Sequence, residues 1–254
     1  MKVMVTGSSG KLGTAICKQL AGVDIVHCSR SCGLDIRSKD LPDALTGVDW
    51  VIHAAALKKG ASVVDLVETN VNGTLNLLRS CLKAKVGFVR VISSIEAITP
   101  DTTYGMSKYL AEQIAIDFSG DLCVNVMRLP TIWGTEYNIV EGWRSLARQG
   151  EVLPVFIHNG LPKFKFATTL QGASYWAAEL ARRSTGTIYP PPVPIINTKT
   201  LAKAIIALEG SGSIKEVEVG PMFYYESLCD GYTSASAPAL NFEETLELLK
   251  TYDR

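Results

Sequence analysis

Five short apolar runs, residues 2–6, 24–28, 48–53, 88–92 and 123–128, alternate with longer stretches whose apolar residues recur at helical spacing. This alternation restricts the fold more than any other feature of the chain. Strand-length runs that are apolar throughout must be covered on both faces, and an intervening helix lets consecutive strands run in one direction. The expectation is an α/β fold built on a doubly wound parallel sheet. The first helix is read from Lys11 to about Leu20, with Leu12, Ala15, Ile16 and Leu20 on one face, and others at about 62–83 and from Tyr104 to about Phe118. After Leu129-Pro130 the elements shorten and Pro and Gly become more frequent. Helices are read there at about 139–149, 170–183, 198–208 and 242–250, and Pro190-Pro191-Pro192-Val193-Pro194 marks an extended crossover. Trp50, Trp133, Trp143 and Trp176 are assigned to the core and to helix packing.

Composition narrows the partner. Lys+Arg 25 against Asp+Glu 25 leaves no net field to attract nucleic acid or an acidic membrane, so a small molecule is expected. No apolar run approaches the ~18 residues of a membrane span, and residue 1 leads straight into a strand, so no membrane contact and a cytoplasmic location are expected. Cysteines 17, 28, 32, 81, 123 and 229 contain no CxxC pair and read as reduced thiols. His27, His53 and His158 are isolated in the sequence, which leaves no candidate metal site.

Thr6-Gly7-Ser8-Ser9-Gly10-Lys11-Leu12-Gly13 joins the first strand to the first helix. Gly7 and Gly10 allow a tight turn with close backbone approach to a pyrophosphate, Gly13 lets helix and strand pack closely, and the helix N-terminus offers N–H groups to the anion. Gly7, Ser8, Ser9, Gly10, Lys11, Leu12 and Gly13 are therefore read as a dinucleotide cradle, spaced G-x-x-G-x-x-G. The second strand ends in Cys28-Ser29-Arg30, where an NAD enzyme would usually present a carboxylate to the ribose. An arginine there pairs with a 2′-phosphate and favours NADP(H) over NAD. Asp35-Ile36 either sets a carboxylate against the adenine amino group or carries an ordinary surface Asp.

Tyr104 and Lys108 are four residues apart, so on a helix they share one face with Cβ atoms about 6 Å apart. A cation there can lower the phenol pKa and make Tyr104 a usable proton carrier, with Ser93 or Ser94 as its hydroxyl neighbour.

Taken together, Thr6 to Gly13, Asp35-Ile36, His53-Ala54-Ala55-Ala56-Leu57-Lys58, Asn70-Val71-Asn72-Gly73-Thr74 and Tyr104-x-x-x-Lys108 resemble an extended short-chain dehydrogenase/reductase. More narrowly they resemble the CapD-like polysaccharide biosynthesis group, which includes inverting UDP-N-acetylglucosamine 4,6-dehydratases. The resemblance implies a Rossmann-type NADP-binding domain over 1–130, to which 167–190 returns, and a smaller substrate-binding part from 131–166 and 191–254. It implies that Tyr104, assisted by Lys108 and with Ser94 holding the hydroxyl, takes the proton from a sugar C4 carbinol. Ser29, Arg30, Asp35, Ile36, Ala54, Ala55, Ala56, Lys58 and Asn70 fall to the cofactor. Lys58, Ser94 and Thr131 fall to a UDP-linked sugar. Relatives pair through helices like those at 62–83 and 104–118, which implies a homo-oligomer.

Where that group carries an Asp-Lys pair for elimination, this chain has Ile95-Glu96. Glu96 is either a C5 base or a polar residue lining the sugar pocket. The expected activity is UDP-N-acetylglucosamine 4,6-dehydratase-like, the alternatives being an NADPH-dependent 4-ketosugar reductase, a C4 epimerase, or a non-catalytic NADP-binding relative. The group's Gly-Ser-Arg-Gly and Pro-Gly-Glu-Lys segments are replaced by Gly134-Thr135-Glu136-Tyr137 and by residues 219–226.

Overall fold

Strands β1 (Lys2–Thr6), β2 (Asp24–Cys28), β3 (Trp50–His53), β4 (Phe88–Ser94) and β5 (Val124–Leu129) form one sheet with a sixth strand, Thr187–Tyr189. Every neighbouring pair runs parallel, in the order Thr187–Tyr189, β5, β4, β3, β1, β2. The computed structural model describes all residues except 59, 134, 136–137, 180–184, 220–226, 230–231, 234–237 and 253–254. The chain divides into two units, one of Met1–Leu129 with Gln171–Pro191, the other of Pro130–Leu170 with Pro192–Arg254.

The first unit is a Rossmann-type sheet flanked by helices. β3 and β5 are buried along their whole length and β4 up to Ser93, as the apolar runs require. On one face Met4, Val51, Val89 and Val124 pack with Leu77, Leu78, Cys81 and Leu122. Polar residues interrupt the apolar runs, Asn125 and Arg128 of β5 among them, and Arg90 of β4 is the largest that is fully buried. Arg90 is fully buried in mid-sheet, where its Nη1 donates to the carbonyls of Trp176, Ala177 and Glu179 at 3.4, 2.9 and 2.6 Å. It thereby caps the C-terminus of the Leu170–Ala178 helix, whose last carbonyls have no partner within the helix. The helix read at 170–183 is described only this far, and 180–183 lie outside the described residues.

The helix read at 62–83 is three segments in one: Val63–Leu66 is α-helical, Val67–Asn72 is π-helical, and Gly73–Ala84 is α-helical again. Apolar spacing does not reveal a π-turn, which arises from the extra residue it accommodates and not from a change of residue type. The Thr103–Asp117 helix packs beside it.

The second unit has its own core, with Trp133, Val140, Trp143, Leu153, Val155, Leu201, Ile205 and Leu249 buried together. Its helices are Ile139–Arg148, Thr198–Glu209 and Phe242–Tyr252, and Val152–His158 pairs parallel to Ser213–Glu218. Glu209 accepts from both Arg144 and Arg148, tying two of these helices together. Trp50, Trp133 and Trp143 are buried and Trp176 is half-buried. Of the diverged segments, Gly134, Glu136, Tyr137 and residues 220–226 lie outside the described residues.

Candidate active site

The glycine loop folds as a cradle. Gly7 has φ +67°, the left-handed region, and a Cβ there would stand 2.8 Å from the backbone of Ala55. A Cβ on Gly13 would come within 2.1 Å of the Gly7 carbonyl oxygen, so helix and loop meet only because neither residue has a side chain. This packing sets Ala54 and Ala55 against the loop. The Lys11–Gln19 helix begins at Gly10 with no side-chain cap, so its first-turn N–H groups are not occupied by one. Ser8 Oγ is buried without a hydrogen-bond partner. An orphaned hydroxyl beside an uncapped helix N-terminus fits the pyrophosphate of a dinucleotide, which Gly7 to Gly13 would hold.

Beyond β2 the chain turns through Arg30–Cys32. Ser29 and Ser31 hydroxyls meet at 3.0 Å, with Arg30 exposed between them. Asp35 is gripped by Arg37, whose Nε and Nη2 reach its two carboxylate oxygens at 3.0 and 2.7 Å. That fork holds Asp35 below the usual carboxylate range. Ile36 is buried against Gly73, where a Cβ would approach its Cδ1 to 2.7 Å. Cys17, Cys28, Cys32, Cys81 and Cys123 are all free thiols.

His53, isolated in the sequence, is the centre of a buried network. The Thr74 hydroxyl donates to the Asn70 carbonyl at 2.6 Å, so at its 2.9 Å contact with His53 Nε2 it accepts. Nε2 therefore carries the proton, and Nδ1 accepts from the Thr6 hydroxyl at 2.7 Å, which in turn accepts from the Ala55 N–H. Burial, with the nearby Lys108 charge, pushes His53 down to about 3, so the ring is neutral. The network fixes the loop after β3 against β1. Asn70 completes the fixing from the π-turn: its Oδ1 accepts from the Leu57 N–H at 2.7 Å, and its Nδ2 donates to the Leu57 carbonyl and to Ser107 Oγ. Ser107 Oγ donates to the Tyr104 carbonyl at 2.8 Å. Lys58 is exposed in the same loop. Neither the His53 network nor the Asn70 clamp follows from local sequence, since their bonds reach as far as 49 positions along the chain.

Tyr104, Lys108, Ser94 and Glu96 are brought together at the end of β4. The Thr102 hydroxyl caps the Thr103–Asp117 helix by accepting from the Gly105 N–H, and donates to Glu96 Oε2 at 3.0 Å. Ser94 accepts from the Glu96 N–H at 3.2 Å and hydrogen-bonds to Tyr104. Gly105 is obligatory, because a Cβ there would stand 2.5 Å from the Glu96 carbonyl oxygen. Lys108 Nζ donates to the Ile92 carbonyl at 2.8 Å. One expectation is corrected. Tyr104 is pushed up to about 12, not lowered: burial raises it most, Glu96 adds to this, and the Ser94 hydrogen bond only partly offsets them. Lys108 is itself pushed down to about 8 by burial, with Glu112 opposing.

In the second unit Thr131, Ile139, Phe156, Lys163, Lys165 and Thr198 line a cavity of about 250 Å³. Thr198 Oγ1 is buried there without a hydrogen-bond partner. Among the described residues no three His, Cys, Asp or Glu side chains cluster as metal ligands, and no helix is long and apolar enough to cross a membrane.

The sequence profile of the polysaccharide biosynthesis proteins matches residues 32–221. The chain belongs to that family. It is 28% identical over 187 residues to the UDP-glucose 4-epimerase of Rickettsia canadensis, covering 62% of this chain and 52% of that protein. The Rickettsia typhi enzyme of the same name is 29% identical over 190 residues, with the same coverage. The chain thus spans about half the length of the curated relatives it matches. Among solved structures, Pen from Bacillus thuringiensis superposes with a TM-score of 0.78 at 20% identity, covering 98% of each chain. The dTDP-glucose 4,6-dehydratase DesIV of Streptomyces venezuelae, with NAD bound, gives 0.75 at 21% identity, covering 100% of this chain and 97% of that one. The UDP-N-acetylglucosamine 4-epimerase of Bacillus cereus gives 0.72 at 20%, covering 100% and 96%.

A buried ammonium costs stability, and linkage gives its pH window. Lys108 titrates near 8 in the fold and near 10.5 unfolded, so between those values the unfolded chain binds more protons and stability rises with pH. Lys108→Met is therefore expected to raise the melting temperature at pH 7, with the gain shrinking as the pH passes from 8 to 10.5. A lower melting temperature for the variant at pH 7 would show that the Ile92 hydrogen bond outweighs the burial cost.

Proposed function

We propose that this chain is an NADP-dependent nucleotide-sugar enzyme that oxidises a sugar at C4, removes water across C5 and C6 and returns to C6 the hydride taken from C4, in the manner of a UDP-N-acetylglucosamine 4,6-dehydratase. The observation that carries this reading is the placement of Glu96, held by Thr102 and near enough to Tyr104 for its charge to act on the phenol. A carboxylate at that point can serve as the C5 base once a C4 ketone has acidified the C5 proton. Bound NADP supplies a hydride acceptor and a positive nicotinamide.

Tyr104 takes the C4 hydroxyl proton as a tyrosinate, with Ser94 positioning the hydroxyl. A phenol near 12 yields its own proton only when positive charge gathers about it, and Lys108 stands one helical turn away for that purpose. The second-unit cavity supports a UDP-linked substrate: Lys163 and Lys165 offer charge for two phosphates, and Ile139 and Phe156 offer apolar surface for a base. Arg30, with the Ser29 and Ser31 hydroxyls, supports NADP over NAD.

Epimerisation at C4 is the second reading. Ile95 offers no proton to a departing C6 hydroxyl, and the Rickettsia relatives bear the name UDP-glucose 4-epimerase.

We also propose a homo-oligomer. Val63, Val64 and Val67 on one helix and Met106, Tyr109 and Leu110 on its neighbour leave a large apolar face exposed, Val64 at 72%. Pairing with a second copy would cover it.

Incubation with UDP-N-acetylglucosamine and NADP is expected to give a product lighter by one water. Glu96→Gln should cut that loss by about 100-fold or more while C4 exchange continues. A product of unchanged mass and inverted C4 establishes epimerisation instead, and no product with any nucleotide sugar sinks both readings. Arg30→Ala is expected to weaken NADPH about tenfold and leave NADH nearly untouched, as titrations would show; equal losses would remove the case for NADP. Val64→Glu should reduce the sedimenting mass to that of one chain, and an unchanged mass would place any interface elsewhere.

A further inference from the structure

Four residues beyond Lys108 on the same helix, Glu112 is fully buried. Its carboxylate receives Arg128 as a fork, Nε to Oε1 at 2.9 Å and Nη2 to Oε2 at 2.6 Å. Arg128 lies in β5 opposite Ser93 of β4, one residue before the register position of Ser94. The catalytic-candidate helix is thus fastened at two points, by Lys108 to the Ile92 carbonyl of β4 and by Glu112 to β5.

Charge gives the arrangement a purpose that packing does not require. A buried ion pair is commonly no more stabilising than apolar residues of the same volume, so stability alone is a weak reason to place one here. Lys108, however, is an ammonium fully buried against a carbonyl oxygen. The charged or titratable groups that act on it are Glu112, one turn along its own helix, and the neutral His53 on β3. Asp65, Glu68, Arg79 and Lys83 of the neighbouring helix are exposed. The side chain at i+4 is the anion that helical geometry carries to Lys108, and its charge opposes the effect of burial on that group.

We propose that the Glu112–Arg128 pair is a positioning device for Lys108: it fixes the helix so that the ammonium meets the Ile92 carbonyl, and its carboxylate keeps that ammonium charged inside the protein. Its catalytic meaning rests on the role given to Lys108 above, but its physical content is measurable without turnover.

The test is the titration of Lys108 in protein labelled with ¹³C at lysine Cε, followed by NMR and assigned with Lys108→Met. Glu112→Gln is expected to lower the midpoint by about one unit or more. The alkaline limb of the kcat profile should move down by the same amount. A folded Glu112→Gln protein whose Lys108 titrates as in the wild type overturns the proposal. If that variant does not fold, Glu112→Gln combined with Arg128→Leu removes both charges; the midpoint should again fall below that of the wild type, and an unmoved one overturns the proposal. Absence of turnover in the wild type would refute the proposed reaction alone, since the titration still decides the pair.

Discussion

All strands of the main sheet point the same way, and this one constraint governs where chemistry can gather. Parallel strands joined by helices deliver their carboxyl ends to a common edge, so Thr6, Cys28, His53, Ser94 and Leu129 lie at one rim although up to 123 residues separate them. The glycine loop leaves from the first of these ends, the Arg30 turn from the second, the Ala54–Lys58 loop from the third, and the Glu96 turn from the fourth. Helices then supply what loops lack. Asn70 and Tyr104 project from rigid elements, and the bonds of Asn70 to Leu57 and Ser107 join a helix, a loop and a second helix through one amide.

The rim is polar inside, and nearly every buried polar group there has a partner that fixes it. Thr6, His53, Thr74 and Asn70 form a chain in which each donor meets one acceptor, so both imidazole nitrogens are engaged. The ring serves as a strut. The exceptions stand out for that reason. Ser8 and Ser93 hydroxyls have no partner despite burial, one in the glycine loop and the other next to Ser94. Unpaired hydroxyls are costly in a folded protein and mark positions where a ligand can complete the bonding.

Much of this was readable from residue types. Apolar runs gave the five strands, since a buried parallel strand has to be apolar on both faces, and the glycine spacing gave the cradle because φ and close approach leave little choice of residue. Tyr104 and Lys108 were visible because helical spacing alone puts them on one face. The reading failed where the outcome depends on tertiary surroundings. Proximity of Lys108 pointed to a lowered phenol, but the degree of burial and the Glu96 charge decide the sign, and neither is set by local sequence. The bonds of His53, Asn70 and Arg90 were hidden because their partners lie on other elements. The π-turn was hidden because spacing arguments assume a constant helical period.

That π-turn carries a consequence for how such a chain can change. Each residue of a helix advances the direction of the next by about 100°, so a segment that holds one more residue than a regular turn acts as a phase shift between the helix before it and the helix after it. Val63–Leu66 and Gly73–Ala84 are out of phase by that amount, with Asn70 inside the shift. Deleting a single residue anywhere in Val67–Asn72 would restore a regular helix, yet it would swing the Asn70 amide away from Leu57 and Ser107 or turn the apolar faces of one flanking segment outward. Substitution is open at the exposed positions of this helix, such as Glu68 and Arg79, whereas its length is locked.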